Sequence, residues 1–552
     1  MFQEDKSKTG GTKMDDFGLG DLCFGHWDLF RISRFGFRIP MSRTWQILVC
    51  LVLAGLPGLA AAPLNPATGT ADAFFGATNL YTFHLTIAPD QWAIMEQFDQ
   101  LKQNANRPPG NDNGLADLFR RQPRGGNGPG GGPMMNIEFK KGTATLEFDG
   151  QPCGSIRVRF KGNSSFNFAR NSLKRSLKLD FNDLEPGRTF FGLTKLNLNN
   201  NAMDPSQLRE ALAYEVFRTG GVPACRTAFA KVFLTIPGKY AKAYAGLYTV
   251  VEQVDERFLK SRFDAKDGML LKPEHLPGLP YFGNNWSAYT NRVEAKTTVK
   301  TNDSARFIEF ARSLNQDDDP RFQAAVGDFV DVDEFLRFIA LEALLSNMDS
   351  PLMTGHNYYL YLHPKTRKFT WIPWDLNEAF GGFMRAGNAS EQMDLSLDHP
   401  YTRVNRLAER LLQTDAIKKR YHDITRGLLA TNFSSARLFP VVDAMAATIR
   451  PALADDRMVS LPQFEAGLSD LLQTGTFGED NPGGSDPRRG GFGGFRRPRI
   501  PLKAFILHRV DSARLQLDGK AEGYIPREMR PGPNGPQMFG PPGGQPQPSE
   551  PR

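Results

Sequence analysis

The chain has 552 residues, 40% of them hydrophobic, and a formal net charge of +7. That apolar content excludes a wholly disordered chain and suits either one large globular domain with insertions or two to three average ones. The charge is modest for the length, and the glycines and prolines gather in a few stretches that read as linkers and tails, not as core.

The first stretch has the three parts of a secretory signal: Met41-Ser42-Arg43, an apolar run from Trp45 to Gly55, and small residues at Leu59-Ala60-Ala61-Ala62. Residues 1–62 therefore read as a mis-assigned start followed by an export signal, which places the mature chain outside the cytoplasm as a secreted, periplasmic or surface protein. The run is short for a spanning helix, so no stable membrane span is expected after cleavage; an uncleaved anchor is the alternative. Cleavage removes Cys23 and Cys50. Cys153 and Cys225 remain, enough for one disulfide in an oxidising compartment or for two buried thiols, and too few for a metal site.

After a linker over 63–80, Tyr81 to Ile87 alternates as a strand does and Ala88-Pro89-Asp90 opens a helix. A Gly/Pro-rich insertion over 104–134 follows. Strand patterns resume at Ile137 to Phe139, Thr143 to Phe148, Ser155 to Phe160, Ser176 to Phe181 and Lys195 to Asn199, which together read as a mainly antiparallel sheet. Asp204-Pro205-Ser206 reads as the cap of a helix carrying Leu208, Leu212 and Val216, stopped by Gly220-Gly221. Ala228 to Leu234 and Gly246 to Glu252 read as a strand pair before a helix near Asp255 to Phe263, and Met269 to Pro273 as another strand end. From Asp331 a capped, apolar-striped helix runs to about Asn347. A loop with Asp349 leads to the aromatic strand Asn357 to Leu362, a turn, and the strand Lys368 to Trp374 with Asp375 at its exit. Helical patterns follow over Val404 to Gln413, Asp415 to Leu429 and Ser435 to Asp455. A second Gly/Pro insertion over 478–501 contains Arg488-Arg489 and Arg496-Arg497, read as solvated basic loop in preference to a nucleic-acid contact. A Gly/Pro-rich tail fills 521–552. The sum is α+β, with a strand-rich first half and a helix-rich second half.

The sequence has no zinc spacing, HExxH, Walker A or GxSxG pattern and no GxGxxG turn between a strand and a helix, the one such spelling, Gly126 to Gly131, lying in the Gly/Pro-rich insertion; this takes the usual support from zinc-protease, serine-hydrolase and dehydrogenase readings. Two features carry chemistry. The turn Arg159-Phe160-Lys161-Gly162-Asn163-Ser164-Ser165 puts cations beside a free backbone and hydroxyls, as a phosphate site needs, although an ordinary Gly turn with solvated charges has the same letters. Asp349 and Asp375, taken singly, read as turn carboxylates. Taken together in the order helix, Asp, hairpin, Asp, they are placed as the transfer and metal residues of a phosphoryl-transfer site. Trp371 and Trp374 read as core.

Five blocks in order carry a family likeness: Arg159 to Ser165; Ser176 to Phe181; Leu198-Asn199-Asn200-Asn201-Ala202-Met203-Asp204-Pro205-Ser206 with Arg209; Gly246 to Asp255; and Pro373-Trp374-Asp375-Leu376-Asn377. They resemble the CotH family of spore-coat-type atypical protein kinases, over about Tyr81 to Gly382 with a helical continuation to about Leu517. The resemblance implies a divergent protein-kinase-like fold over 81–520, and ATP-dependent phosphorylation of Ser/Thr hydroxyls in proteins with Mg2+ or Mn2+. It makes Asp349 the catalytic Asp and Asp375 the metal-binding Asp. Asn357 becomes a second metal ligand, though it lies further beyond Asp349 than the catalytic-loop Asn of protein kinases does from its Asp. Arg159, Lys161 and Lys178 become candidate phosphate contacts. Glu252 and Lys272 are either an acidic and basic pair near the nucleotide or plain strand-end charges. A kinase fold without turnover, serving as a surface or coat scaffold, is the alternative.

Overall fold

Alternation of apolar and polar residues builds the first half. In the computed structural model, which describes residues 65–100, 137–274, 276, 278–383, 385–402, 405–472 and 500–526, thirteen strands are present among the described residues. The signal segment, the 104–134 insertion, nearly all of the 478–501 insertion and most of the tail lie outside the described residues.

Seven strands close a barrel in the order β1, β4, β5, β6, β7, β9, β8. They are β1 (Leu80–Ile87), β4 (Gly142–Phe148), β5 (Gln151–Phe160), β6 (Leu177–Asp180), β7 (Lys195–Asn199), β8 (Thr227–Ile236) and β9 (Tyr240–Glu252). The pairings are antiparallel except for β1 with β8, which run parallel and close the ring. Closure removes the unpaired edges that an open sheet of this length would expose. β2 (Phe98–Gln100) and β3 (Ile137–Phe139) form a separate short ribbon.

The barrel interior is aromatic. Phe190 stacks on Phe181 at 4.7 Å between centroids, and Phe74 stacks on Tyr81 at 4.9 Å. Each such ring, wholly buried, stabilises by about 1.5–3 kcal/mol over leaving it in water. Phe74 belongs to a short helix, Ala71–Phe74, capped by Thr70, and Arg226 reaches its Asp72. The segment ahead of β1 is thus packed into the core, where a linker had been expected. The two cysteines do not pair: Cys153 is half-buried, Cys225 buried, and both are free thiols.

The second half rests on a four-stranded antiparallel sheet ordered β11 (Val293–Ala295), β10 (Met269–Pro273), β12 (Tyr358–Leu362), β13 (Phe369–Pro373). Helices Thr301–Gln316, Asp319–Phe329 and Val332–Leu344 contribute to its cover: Phe310 stacks on Phe369 at 5.5 Å, and Phe335 meets Trp371 edge-on at 4.8 Å. Longer helices, Asp415–Thr431, Ser435–Leu453 and Leu502–Leu517, complete the helical half. The strand-rich first half and helix-rich second half stand as the sequence predicts. No helix among the described residues is long and apolar enough to cross a membrane.

Candidate active site

The β12–β13 hairpin sets the site's geometry. Tyr358 pairs with Pro373, and just beyond that last pair the Trp374 N–H donates to the Asn357 carbonyl at 3.0 Å. Asn357 and Asp375 therefore flank the hairpin's open end, and both adopt left-handed backbone, with φ of 60° and 55°. Asn and Asp bear that conformation better than other residues with a Cβ, because their short polar side chains bond locally. The Asp375 N–H donates to the Tyr214 hydroxyl at 3.1 Å, tying the turn to helix Arg209–Thr219. Arg209 on the same helix donates to the carbonyls of Ala379 at 3.1 Å and Phe380 at 2.8 Å, so it holds the loop that follows.

Asp349 arrives from the other side, on the loop after helix Val332–Leu344. Its Oδ1 meets His356 Nε2 at 2.9 Å, and Asn357 Nδ2 donates to its Oδ2 at 3.0 Å and to its carbonyl at 2.8 Å. Burial works against a charge on His356, but the bond to Asp349 and the nearby carboxylates of Glu274 and Asp375 outweigh it and raise its pKa. The Asn357 amide is thus turned with its nitrogen toward Asp349, and only its oxygen suits a cation.

The barrel supplies the opposing charge. Arg157, Arg159 and then Lys161 point outward where Ile156, Val158 and Phe160 point in. Lys161 Nζ donates to Asn199 Oδ1 at 2.7 Å and lies 5.5 Å over the Trp374 ring. Asn199 Nδ2 in turn reaches both carboxylate oxygens of Glu210 at 2.8 Å. Burial raises the Glu210 pKa to about 7, helped by Asp375 and opposed by Asn199 and Lys161. The Lys161 pKa is lowered by burial, against the pull of Asp375 and Glu210. Asp375 keeps an exposed surface, yet protein packs closely around it. The crowding raises its pKa, Lys161 opposes the rise, and Asp349 adds to it.

One row further along the barrel, Arg159 sits opposite Lys178 and Lys178 opposite Asn197. Lys178 Nζ donates to Gln253 Oε1 at 2.6 Å; burial, then Arg159 and Lys161, bring its pKa down to about 7. Both residues line a cavity of 270 Å³ with Lys141, Arg157, Asp180 and Lys195. Asp375, Lys161, Asp349 and Lys272 are thus near enough to act on one another, with Arg159 and Lys178 adjoining. Glu252 stands apart from Lys272: it is held by Arg226 and by Arg262 at 3.2 Å, while Lys272 pairs with Glu274. The strand-end reading applies to Glu252. Glu210, Asn199, His356 and Tyr214 escaped the sequence reading. Their one legible signal is that Asn199 and Arg209 fall in a single family-like block.

The chemistry of the donor set fits a hard cation. Two carboxylates close enough to raise one another's cost of ionisation, with an amide oxygen alongside, are relieved by a divalent ion, and magnesium takes one or two protein oxygens and leaves the rest to phosphate and water. Among the described residues no group of three or more His, Cys, Asp and Glu side chains is arranged to hold a metal alone.

A family description, CotH kinase protein, matches residues 158–463, more than half of the chain. The chain belongs to the CotH kinase protein family. The match begins inside β5, so strands β1 to β4 precede it, whereas the resemblance by sequence blocks extends from about Tyr81. Inner spore coat protein H of Bacillus subtilis (strain 168) is 27% identical over 293 residues, covering 52% of this chain and 75% of that protein. Spore coat protein homolog 1 of Rhizopus delemar is 24% identical over 306 residues, covering 51% of this chain and 47% of that protein. A crystal structure of the Helicobacter pylori proinflammatory kinase CtkA aligns with 62% of this chain and 94% of its own at 10% identity. Its TM-score of 0.25 carries no argument about the fold.

Proposed function

We propose that the chain is an exported, ATP- and Mg2+- or Mn2+-dependent protein kinase of the CotH type, with a divergent kinase-like fold, transferring phosphate to Ser or Thr hydroxyls of secreted or surface proteins. The observation that carries the reading is that Asp349 and Asp375, far from the barrel in sequence, lie within electrostatic reach of each other, and Asp375 within reach of Lys161 and Glu210 from the strand-rich half. Membership of a family described as kinases supports it.

In this reading Asp375, with the Asn357 oxygen, holds the metal, whose contribution is to neutralise charge on the phosphates. Lys161, with Arg159 and Lys178 beyond it, offers cations to phosphate oxygens. Asn199 and Glu210 keep Lys161 extended over Trp374. Asp349, fixed by His356 and Asn357, orients the acceptor hydroxyl and takes its proton. That role asks more of geometry than of an unusual pKa.

Thermal melting with ATP and metal together tests this, since a ligand that binds only the folded state raises the midpoint. Asp375→Ala is expected to abolish that rise, and Asp349→Ala to keep it while losing transfer to a Ser-rich protein. Equal activity in both variants would show that other carboxylates do the work. The names of the two curated relatives favour a second reading, a coat or surface scaffold that retains the fold without turnover. Under it, neither a nucleotide-dependent shift nor transfer appears.

A further inference from the structure

Glu342 lies on helix Val332–Leu344 with none of its surface exposed. The chain turns back on it immediately after the helix. Asn347 Nδ2 donates to Glu342 Oε2 at 2.7 Å, and the Asn347 backbone N–H donates to the Glu342 carbonyl at 3.0 Å. The two remaining oxygens of this pair, Glu342 Oε1 and Asn347 Oδ1, are both buried acceptors with no donor. Buried acceptors left so are costly and uncommon. A carboxyl and a primary amide are both planar and already joined at one corner, so when their planes align the orphaned oxygens lie side by side. One proton on Oε1 then satisfies both.

We infer that Glu342 is a neutral carboxylic acid closed on Asn347 in a two-bond acid–amide ring, and that this ring is a positioning device for the loop bearing Asp349. The ring sits where the loop needs an anchor. Ser346 has left-handed backbone, φ 44°, and its hydroxyl donates to the Gln392 carbonyl at 2.6 Å; the Leu345 carbonyl accepts the Phe380 N–H, also at 2.6 Å. Asp349 follows Asn347 by two residues, and the Phe380 contact continues the loop after Asp375. The positioning half of the inference rests on Asp349 being the transferring residue, whereas the protonated pair does not.

The surroundings leave the proton in place. Neighbouring elements bring Arg509 and Tyr421, from helices Leu502–Leu517 and Asp415–Thr431, and Glu210 and Tyr214, from helix Arg209–Thr219; β13 brings no ionisable side chain. Arg509 donates Nη2 to the Ala343 carbonyl at 3.0 Å, and its Nε and Nη1, though without acceptors, make no bond to Glu342 Oε1; Glu210 faces Asn199, and Arg420 is taken by Asp333. None of these groups acts on the Glu342 carboxyl. Burial pushes it up to about 8, with the Asn347 bond the opposing influence.

The test uses the full chain and three proteins: wild type, Glu342→Gln and Glu342→Leu. A carboxyl raised from 4.5 to about 8 in the folded state contributes fully below 4.5 and loses its contribution progressively up to about 8. Gln makes the same ring without titrating. The thermal midpoint of Glu342→Gln is therefore expected to climb relative to wild type as pH rises from 4.5 to 8, then hold a constant lead. Leu removes the ring without burying a charge and leaves the Asn347 amide unpaired, at a cost in stability, and Glu342→Gln is the control that keeps the ring. Amide exchange over residues 346–349 is expected to quicken about tenfold in Glu342→Leu and to stay at the wild-type rate in Glu342→Gln. A midpoint difference independent of pH overturns the protonated pair, and wild-type exchange in Glu342→Leu overturns the positioning role. Loss of turnover in Glu342→Leu with nucleotide KM kept and Glu342→Gln active supports the link to Asp349; unchanged turnover in Glu342→Leu overturns it.

Discussion

Lys174 and Asp456, distant in sequence, meet at 2.6 Å with side chains 1% and 0% exposed, so the ion pair is wholly out of water. Lys174 Nζ also donates to Gln207 Oε1 at 3.0 Å. Asp456 Oδ2 accepts the Leu247 N–H of β9 and Oδ1 the Met458 N–H, each at 2.9 Å. Asp456→Ala strands a buried ammonium and two backbone donors. Removing one partner of such a pair costs about 3–5 kcal/mol, and an unsatisfied buried amide about 1–3 kcal/mol. The terms overlap, because the loop can open and admit water, so about 5 kcal/mol is expected. That rivals the whole stability of a modest domain, about 5–15 kcal/mol. Urea unfolding gives the number from the midpoint at unchanged slope. Replacing both residues with apolar ones of similar volume, Lys174→Met with Asp456→Leu, is expected to recover most of the loss, since such swaps are often near neutral. A cost under about 1 kcal/mol for Asp456→Ala, or a double variant no better than the single, refutes the reasoning.

The same junction makes Gly246 irreplaceable: its φ is +139°, and an added Cβ would lie 2.6 Å from Lys174 Cδ and 2.9 Å from Asp456 Oδ2. Gly246→Ala is expected to cost about 2–3 kcal/mol in urea unfolding, and less once Asp456 is already Ala. Asp398 is drawn down to about 2 because the bonds from His422 and Lys418 outweigh its partial burial. Its contribution is therefore full above 3.8 and lost as pH falls through about 2, so the midpoint deficit of Asp398→Asn should be constant above 3.8 and vanish toward 2. A deficit that persists at the acid end counts against that assignment. Lys161→Met should slow transfer by on the order of a hundredfold and weaken nucleotide-dependent stabilisation, with Lys161→Arg a poor rescue because the larger planar fork does not fit the buried place where the compact ammonium donates to Asn199 Oδ1. Wild-type turnover in Lys161→Met removes it from the site.

Strands were legible where alternation was strict. Lys195–Asn199 emerges with the bounds its pattern predicts, and the β12–β13 hairpin has its turn at His363 to Arg367. Caps were less legible, because a carboxylate that could cap a helix can serve its turn in another way. Asp204 does not cap from the position immediately before the helix; the chain makes an extra turn, Leu208 takes that place, and Asp204 Oδ2 accepts the Arg209 N–H at 2.9 Å. Thr301–Gln316 and Asp319–Phe329 are hard to see in the sequence because their apolar residues form a narrow stripe in polar sequence, and only the sheet they cover gives that stripe a purpose. Glu210 was invisible for a similar reason. Its letters, Arg-Glu-Ala-Leu, describe any helix start, and its role exists only once β7 has put Asn199 beside it.

The division of charge at the site follows from the two architectures. A barrel with an aromatic interior turns its polar residues outward, and on β5 and β6 those include the cations Arg157, Arg159 and Lys178, with Asp180 as a carboxylate on the same outward face. Their mutual repulsion is visible in Lys178, which the neighbouring cations help bring down to about 7. The hairpin strands are buried on both faces, so their polar groups can appear only at the open end, where left-handed Asn357 and Asp375 stand. Lys161 is the point at which the two sets meet: Asp375 and Glu210 hold its charge against burial, and Asp375 is eased by Lys161 in return. An anion bearing a divalent cation would relieve both sides at once, since its negative oxygens suit the barrel row and its metal suits the carboxylates. The site's own repulsions therefore favour a metal-bound polyphosphate over either a free anion or a free cation. Comparing the thermal shift with ATP alone, metal alone and the two together reads that preference directly: the combined shift should exceed the sum of the other two, and simple additivity would mean that the cations and carboxylates act as separate sites.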